Sequence, residues 1–300
     1  MARYPNLYLV GAPKCGTTSM AYYLGQHPDI FAPYLKEPIF FGSDLRTRAE
    51  RITEKNYLQL YDGWKTERYG LDASTAYLAS NAAPGEIFDK APDAKILIMV
   101  RNPVDAAYSL YWQNRFDMAE DLPTFEQSLD AEHNRAISGK IPKIGSLDRK
   151  LYSKIFAFTN NIQNYFKIFS PEHVKIIAFD DLRDNPEICL IDLCDFLDVS
   201  KKVEFSLGWK NPAKKSISSR GAEFISNPPG ILKTILHAIL PFKSRLTIRN
   251  AIIRANTREE AYPPMKAETR KELVARFSPE VHRLAALLGR DLSHWLRRDG

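Results

Sequence analysis

The chain has 300 residues, of which 44% are hydrophobic and 26% charged, with a formal net charge of +6. These proportions are typical of a soluble globular protein, and the length allows one large domain or two small ones. The chain has no arginine-rich block that would indicate a nucleic-acid partner. Three cysteines give neither a disulfide framework nor C-x-x-C metal spacing. Without a secretory signal pattern or a membrane-spanning apolar run, we expect a cytoplasmic protein.

The chain opens with a short strand that leads through a glycine-bearing turn into a helix. Residues 7–10 are apolar and β-prone, residues 11–13 end the strand, and a helical pattern begins at Thr17. Such a turn aims backbone N–H groups at an anion, and Lys14 adds a positive charge. An ordinary strand-to-helix turn with a solvated lysine is the alternative. Because Lys14 precedes Gly16 and not Ser or Thr, this is not a Walker A loop.

Strands and helical segments then alternate as far as residue 197. We predict strands at 30–32, 69–72, 95–100 and 174–179, and helices at 44–61, 83–90, 103–116, 122–137, 151–169 and 186–197. This alternation favours a parallel sheet covered by helices on both faces. The predicted fold class is α/β, with a P-loop-like parallel sheet and a helical C-terminal extension.

The composition changes beyond residue 199. Residues 206–220 are predicted to form a basic loop, and 265–296 two short helices. Residues 231–254 combine apolar and basic side chains; we expect a lid or packing helix there, with peripheral membrane contact as the alternative.

No linker separates this tail from the rest of the chain. We therefore predict a single domain over 1–300, with an α/β core at 1–200 and a closing basic loop and helical extension at 201–300.

Several segments, in a fixed order, resemble the sulfotransferases that use 3′-phosphoadenosine 5′-phosphosulfate (PAPS). Residues 13–19 resemble that family's 5′-phosphosulfate loop, and Arg101-Asn102-Pro103 with Ser109 resembles its 3′-phosphate signature. Lys36-Glu37-Pro38, followed by two phenylalanines, resembles the carbohydrate branch that includes the heparan sulfate enzymes. The remaining similar segments are 72–77, with Asp72 and Thr75 in place of Glu and Pro, 174–182, with Asp180 in place of Glu, 211–221, and 287–295, which is similar to bacterial members.

This resemblance implies an enzyme that moves a sulfuryl group from PAPS to a hydroxyl, or an amine, of a carbohydrate, lipid or small-molecule acceptor and releases adenosine 3′,5′-bisphosphate (PAP). It implies a general base, Glu37, with Lys14 as the second catalytic residue. The cofactor-binding residues that it implies are Lys14, Cys15, Gly16, Thr17, Thr18, Ser19, Arg101, Ser109, Lys214, Lys215, Ser219, Arg220 and Gly221. On the acceptor side it implies Lys36, Asp72, Ser74 and Tyr77.

Elementary chemistry supports parts of this assignment. A sulfuryl group carries less negative charge than a phosphoryl group, so we expect Lys14 to replace a metal ion and no metal to be required. A solvated Lys36–Glu37 pair is the alternative for Glu37, and His27 and His133, the other candidate bases, are expected to be structural. A P-loop kinase and a non-catalytic nucleotide-binding protein are the rival functions. The oligomeric state and the identity of the acceptor stay open.

Overall fold

A parallel sheet forms the centre of the protein. The computed structural model describes residues 3–47, 51–142, 144–208, 214–216 and 242–297. The strands of the sheet are β1 (Leu7–Gly11), β2 (Ile30–Phe31), β3 (Tyr69–Asp72), β4 (Lys95–Val100) and β5 (Val174–Ala178). Their order is β2-β3-β1-β4-β5, and each neighbouring pair runs parallel. The predicted α/β class with a parallel sheet is therefore confirmed.

Helices connect and cover these strands. They are α1 (Thr17–Leu24), α2 (Glu54–Gln59), α3 (Ala83–Lys90), α4 (Pro103–Phe116), α5 (Phe125–Ser138), α6 (Tyr152–Ile155), α7 (Phe158–Phe166), α8 (Phe179–Asp184), α9 (Pro186–Leu197), α10 (Phe242–Ala255) and α11 (Ala267–Leu288). Short 3₁₀ turns occur at Tyr77–Ala79, Asp148–Lys150, Pro171–His173 and Ser293–Leu296. A separate antiparallel ribbon joins β6 (Lys214–Ser216) to β7 (Thr257–Glu259).

The central strand β1 positions the candidate site. All five of its residues are buried, and successive side chains of a strand point to opposite faces, so both faces of the sheet are covered. The chain passes from β1 to one side of the sheet and later returns to β4 on the other side. In such sheets the crevice at the carboxyl ends of the strands, where the order reverses, is the usual ligand site.

The helix predicted at 44–61 is wrong over its first part, since the described helix there is only α2. Thr53 starts α2 by accepting a hydrogen bond from Asn56 N. Just before the predicted range, the backbone N–H groups of Gly42 and Ser43 donate to the Glu86 carboxylate at 2.6 and 3.1 Å. Within it, Arg46 N donates to Asp148 Oδ2 at 2.7 Å. These tertiary hydrogen bonds hold residues 42–46 in a non-helical conformation.

The single helix predicted at 151–169 is divided into α6 and α7. The break at Phe156 and Ala157 allows the rings of Phe156 and Phe158 to be fully buried. The side-chain amide of Asn161 donates at 3.3 Å to the backbone carbonyls of Lys154 and Ile155 at the end of α6. The helix predicted at 122–137 also starts later, at α5, because Thr124 caps it.

The two short helices predicted at 265–296 are one long helix, α11, followed by a 3₁₀ turn. Pro279 lies inside α11, yet the helix continues through it. The apolar stripe is unbroken across this proline: Leu273, Phe277, Val281 and Leu284 are all buried in the same core as the sheet. Tertiary packing therefore outweighs the lost backbone hydrogen bond of the proline.

The rest of the tail is described in part. The basic loop predicted at 206–220 is a strand at Lys214–Ser216, because this segment pairs with β7. Of the predicted lid or membrane-contacting segment 231–254, residues 231–241 lie outside the described residues, and the rest is in α10. None of the described helices is both long and apolar enough to cross a membrane.

Candidate active site

The phosphate-type loop between β1 and α1 has the geometry expected of an anion site. Lys14 and Gly16 have positive φ angles of 64° and 85°, which turn the chain sharply into α1. Among the described residues, no side chain caps the N-terminus of α1, and no acidic residue lies in its first turn. The backbone N–H groups of this turn and the helix dipole are therefore suited to a phosphate or sulfate.

The side chains of this loop differ in what they can do. Thr17 and Ser19 are buried, whereas Thr18 is half-buried. Burial raises the pKa of the Cys15 thiol to about 12, despite the nearby charges of Arg101 and Lys14. Cys15 is thus a neutral packing residue, and only its backbone can face a ligand. Gly16 packs closely as well, since a Cβ there would lie 2.8 Å from the ring of Phe179.

Arg101 connects the end of β4 to this loop. Its guanidinium donates a hydrogen bond to the backbone carbonyl of Lys14 at 3.0 Å and lies over the ring of Phe179, 4.7 Å from the centroid. Ser109 is half-buried on α4. The structure therefore brings Arg101 to the loop.

A chain of polar contacts leads from Lys14 along α4. The Lys14 ammonium donates to Gln113 Oε1 at 3.3 Å, and Gln113 Nε2 donates to Asp117 Oδ1 at 3.0 Å. Asp117 Oδ2 forms an ion pair with Arg149 at 3.2 Å. Gln113 and Asp117 are one helical turn apart, so both project from the same side of α4.

This chain ends close to Glu37. Glu37 and Ile39 have positive φ angles of 60° and 50°, so the loop that carries them is sharply bent. Lys36 Nζ donates to Glu37 Oε1 at 2.7 Å, and the Glu37 side chain is 38% exposed. Burial raises the pKa of Glu37, but the charges of Lys36 and Arg149 and a hydrogen bond from Thr75 outweigh it, and the net pKa is lowered. Glu37 is therefore ionised at neutral pH.

A network of hydrogen bonds around the buried Asp72 carboxylate stabilises the loop that carries Glu37. Asp72 Oδ2 accepts hydrogen bonds from the hydroxyls of Tyr57 and Tyr77 at 2.8 and 3.1 Å, and Asp72 Oδ1 accepts from Ser74 at 2.7 Å. The hydroxyl of Ser74 accepts from Ile39 N, and that of Tyr77 accepts from Phe40 N. These bonds fix the backbone two and three residues after Glu37.

The structure places Asp72, Ser74 and Tyr77, which are expected to line the acceptor side, inside the protein. All three side chains are completely buried, and their hydrogen-bonding groups are used within the network. They position the Glu37 loop, and in this structure they are not exposed to an acceptor. Polar residues at the end of a strand give the same sequence pattern whether they face a ligand or support a loop.

The strand-end segment after β3 also packs against the phosphate-type loop. A Cβ on Gly11 would lie 2.8 Å from the carbonyl oxygen of Thr75 and 2.8 Å from Leu78 Cβ, and Gly11 has a φ of 148°. Only glycine allows this close approach. The contact brings the segment that hydrogen-bonds Glu37 directly against the end of β1.

Some expected residues are not brought into this geometry. Lys214 and Lys215 lie in β6, which packs against α4, but their side chains are outside the description. Ser219, Arg220 and Gly221 lie outside the described residues altogether. His27 is buried, with Nε2 2.9 Å from the carbonyl of Ser200, in agreement with a structural role.

The sequence analysis missed Gln113, Asp117, Arg149 and Phe179. Gln113 and Asp117 follow Ser109 at intervals of four residues, so helical periodicity could have found them. Phe179 directly follows β5 and could have been inferred from its place at the edge of the sheet. We see no sequence signal for Arg149, which belongs to a distant 3₁₀ turn.

Within the described ranges, no three His, Cys, Asp or Glu side chains converge on a position that could hold a metal ion. The metal-independent reaction remains a prediction.

Comparison with known proteins identifies the family. The model of the sulfotransferase domain matches residues 5–216. The crystal structure of a sulfotransferase from Alicyclobacillus acidocaldarius superposes with a TM-score of 0.72 and 30% sequence identity, covering 98% of this chain and 99% of that chain. The alignment spans nearly the whole of both chains, so the likeness extends beyond residues 5–216.

Two relatives from Mus musculus extend this likeness to carbohydrate enzymes. The bifunctional heparan sulfate N-deacetylase/N-sulfotransferase 1 is 26% identical over 216 residues, which are 68% of this chain and 23% of that protein. Heparan sulfate glucosamine 3-O-sulfotransferase 6 is 25% identical over 205 residues, 67% of this chain and 54% of that protein. The chain thus spans about a quarter and about half of these two relatives. These matches do not support the kinase or the non-catalytic alternative, and they confirm the resemblance: the chain belongs to the sulfotransferase domain family.

Proposed function

We propose that this protein transfers a sulfuryl group from PAPS to a hydroxyl, or an amine, of a carbohydrate, lipid or small-molecule acceptor. Membership of the sulfotransferase domain family supports the class of reaction. The two mouse relatives are named as an N-sulfotransferase and a 3-O-sulfotransferase of heparan sulfate, which favours a carbohydrate among these acceptors. The use of PAPS follows from the motif resemblance.

On the donor side, we assign the N-terminus of α1 and Lys14 to the 5′-phosphosulfate. Arg101 and Ser109 take the 3′-phosphate, since a guanidinium fork and a hydroxyl suit a terminal phosphate. By the same motif resemblance, we assign Lys214, Lys215, Ser219, Arg220 and Gly221 to nucleotide binding. Arg101 is already hydrogen-bonded to the Lys14 carbonyl, so the two phosphate groups would be held by connected residues.

On the acceptor side, we assign Glu37 as the general base. Its lowered pKa keeps it ionised, and its partial exposure allows an acceptor to reach it. As the acceptor oxygen forms its bond to sulfur, its proton passes to Glu37, the bond from sulfur to the 5′-phosphate oxygen breaks, and PAP leaves with the electron pair. Lys14 stabilises the negative charge that develops on that leaving oxygen.

The observation that carries this proposal is the chain of polar contacts that connects Lys14 to the surroundings of Glu37 at one edge of the sheet. Lys14 is connected through Gln113 and Asp117 to Arg149, whose charge acts on Glu37. A solvated Lys36–Glu37 pair would not need this surrounding. A base and a cation held in one connected site are what in-line transfer requires.

We further propose that the chain acts as a single domain. The stripe of α11 shares the hydrophobic core of the sheet, and α11 packs against α4 and α7. The family model ends at residue 216, whereas the hydrophobic core also includes residues of α11.

The proposal is tested by incubating the protein with ³⁵S-labelled PAPS and a panel of heparan sulfate, glucosamine, p-nitrophenol and a lipid extract. We expect labelled product with wild type and none with Lys14→Ala, equally in EDTA and in Mg²⁺. Parallel incubation with γ-labelled ATP and Mg²⁺ tests the kinase alternative. Label from ATP and none from PAPS would overturn the proposal.

A further inference from the structure

A short segment at the C-terminus lies against the candidate nucleotide site. α11 ends at Gly289, where φ is 58°, and the chain then turns back toward the sheet. We call residues 290–295 the C-terminal clasp. Leu292 and Trp295 of the clasp are 0% and 2% exposed, so it is part of the folded core and not a loose end.

Trp295 joins the clasp to the residue that follows Arg101. The side-chain amide of Asn102 donates to the backbone carbonyl of Trp295 at 3.0 Å. The carbonyl oxygen of the same side chain accepts from Val104 N at 3.0 Å and caps α4. Asn102 is therefore held from both ends of its amide, and Arg101 is one peptide unit away.

Trp295 also joins the clasp to the residue that follows Phe179. Its indole Nε1 donates to Asp180 Oδ2 at 2.6 Å, and His294 Nε2 lies 3.0 Å from the same oxygen. Arg290 adds a second attachment, with NH2 2.7 Å from Asp181 Oδ1. The start of α8 is thus fixed by three clasp side chains.

The two residues beside these attachment points touch each other at the candidate nucleotide site. The Arg101 guanidinium lies over the Phe179 ring, and that ring packs against Gly16 of the phosphate-type loop. One tryptophan therefore ties together the ends of β4 and β5 directly behind this contact. The clasp itself has no described contact with Lys14 or Glu37.

We propose that Trp295 is a positioning residue that sets the place of Arg101 through Asn102 and Asp180, an inference that rests on the proposed function. The indole supplies one N–H donor to a carboxylate that is largely removed from solvent, and its backbone supplies one acceptor. Without the donor, Asp180 loses a charge-assisted hydrogen bond and the start of α8 gains freedom. The Arg101–Phe179 contact then loses its fixed geometry.

The test substitutes the donor and keeps most of the ring, in Trp295→Phe. Trp64→Phe is the matched control, because Trp64 is also buried and its Nε1 donates at 2.8 Å to a carbonyl, that of Glu67, at the other side of the sheet. Affinities for PAP and for adenosine 5′-monophosphate (AMP) are measured by calorimetry. We expect Trp295→Phe to weaken PAP binding about ten-fold, the lower end of the range for a hydrogen bond to a charged group such as that from Arg101 to the 3′-phosphate. AMP binding should change little.

A double-mutant cycle separates positioning from general loosening. If Trp295 acts through Arg101, Trp295→Phe has no further effect on PAP affinity in an Arg101→Ala background. Additive losses, or an equal loss of PAP and AMP affinity, would overturn the proposal.

Hydrogen exchange on the nucleotide-free protein gives a second, independent readout. We expect faster exchange in peptides that cover 100–106 and 178–184 in Trp295→Phe, and no such change in Trp64→Phe. Unchanged exchange there would overturn the proposal. If wild type fails to bind PAP, the proposed function fails, and the exchange result still decides whether the clasp positions these strand ends.

Discussion

The buried carboxylate Asp72 makes the stability of this protein depend on pH in an unusual direction. Its pKa is raised from 3.8 to about 6, first by burial and also by the charge of Glu37, against the lowering effect of three hydroxyl donors. The folded chain therefore keeps a proton that the unfolded chain loses. Asp72 contributes stability that is fully present below about pH 4 and is lost as the pH rises through about 6.

The size of this effect follows from the gap between the two pKa values. One pKa unit corresponds to about 1.4 kcal/mol, and the gap of about two units gives about 3 kcal/mol. Asp72→Asn removes the titration and keeps the shape. Its free energy of unfolding, relative to wild type, should therefore rise by about 3 kcal/mol between about pH 4 and about pH 7. This rise does not depend on any pH-independent difference in stability between the two proteins.

Urea unfolding of both proteins across this pH range measures the difference. Asp148→Asn is the control of opposite sign: burial raises the pKa of Asp148, but hydrogen bonds from Arg46 and the charge of Lys154 lower it overall. Because that pKa lies below 3.8, Asp148→Asn should differ from wild type by a nearly constant amount between about pH 4 and about pH 7, and should regain stability relative to wild type only as the pH falls below about 4. If the free energy of unfolding of Asp72→Asn relative to wild type stays constant, or falls with rising pH, then folding does not raise the pKa of Asp72.

Two further predictions concern the donor side. Arg101→Ala should weaken PAP binding about ten- to hundred-fold, the range for a bond to a charged group, and AMP binding little; calorimetry with both nucleotides checks this, and equal losses would move Arg101 away from the 3′-phosphate. Gln113→Ala removes the acceptor that holds the Lys14 ammonium, so the transfer rate should fall about ten-fold, near the low end for such a bond, with stability little changed. An unchanged rate in ³⁵S transfer would show that Gln113 does not position Lys14.

Local patterns predicted most of the sheet and the helices around it. The strands at 69–72 and 95–100 and the helix at 103–116 have the predicted bounds, because apolar periodicity and the Asn102 cap are local signals. The helix at 44–61 failed for the opposite reason. Its first part is fixed by tertiary hydrogen bonds such as that from Arg46 N to Asp148, which is distant in sequence and invisible to periodicity.

The candidate site was predictable where it depends on the ends of strands. Lys14 and Arg101 follow β1 and β4, and their meeting follows from the parallel order of the sheet. The burial of Asp72 was not predictable, since a polar residue at a strand end can face a ligand or support a loop. Arg149 and Trp295 come from distant turns, and only the fold brings them to this edge.

The substitution Glu37→Gln tests directly whether Glu37 is the general base in sulfuryl transfer. The variant is assayed for ³⁵S transfer from PAPS to the acceptor found in the labelling screen. Glu86→Gln, a change in a carboxylate that holds the same loop, is the control. For Glu37→Gln we predict a rate about 10² to 10⁴ times lower with unchanged PAP affinity. In wild type we predict an acid limb below pH 4.5, because the pKa of Glu37 is lowered from that value. A Glu37→Gln protein that folds, binds PAP and transfers sulfate at the wild-type rate would show that Glu37 is not the general base.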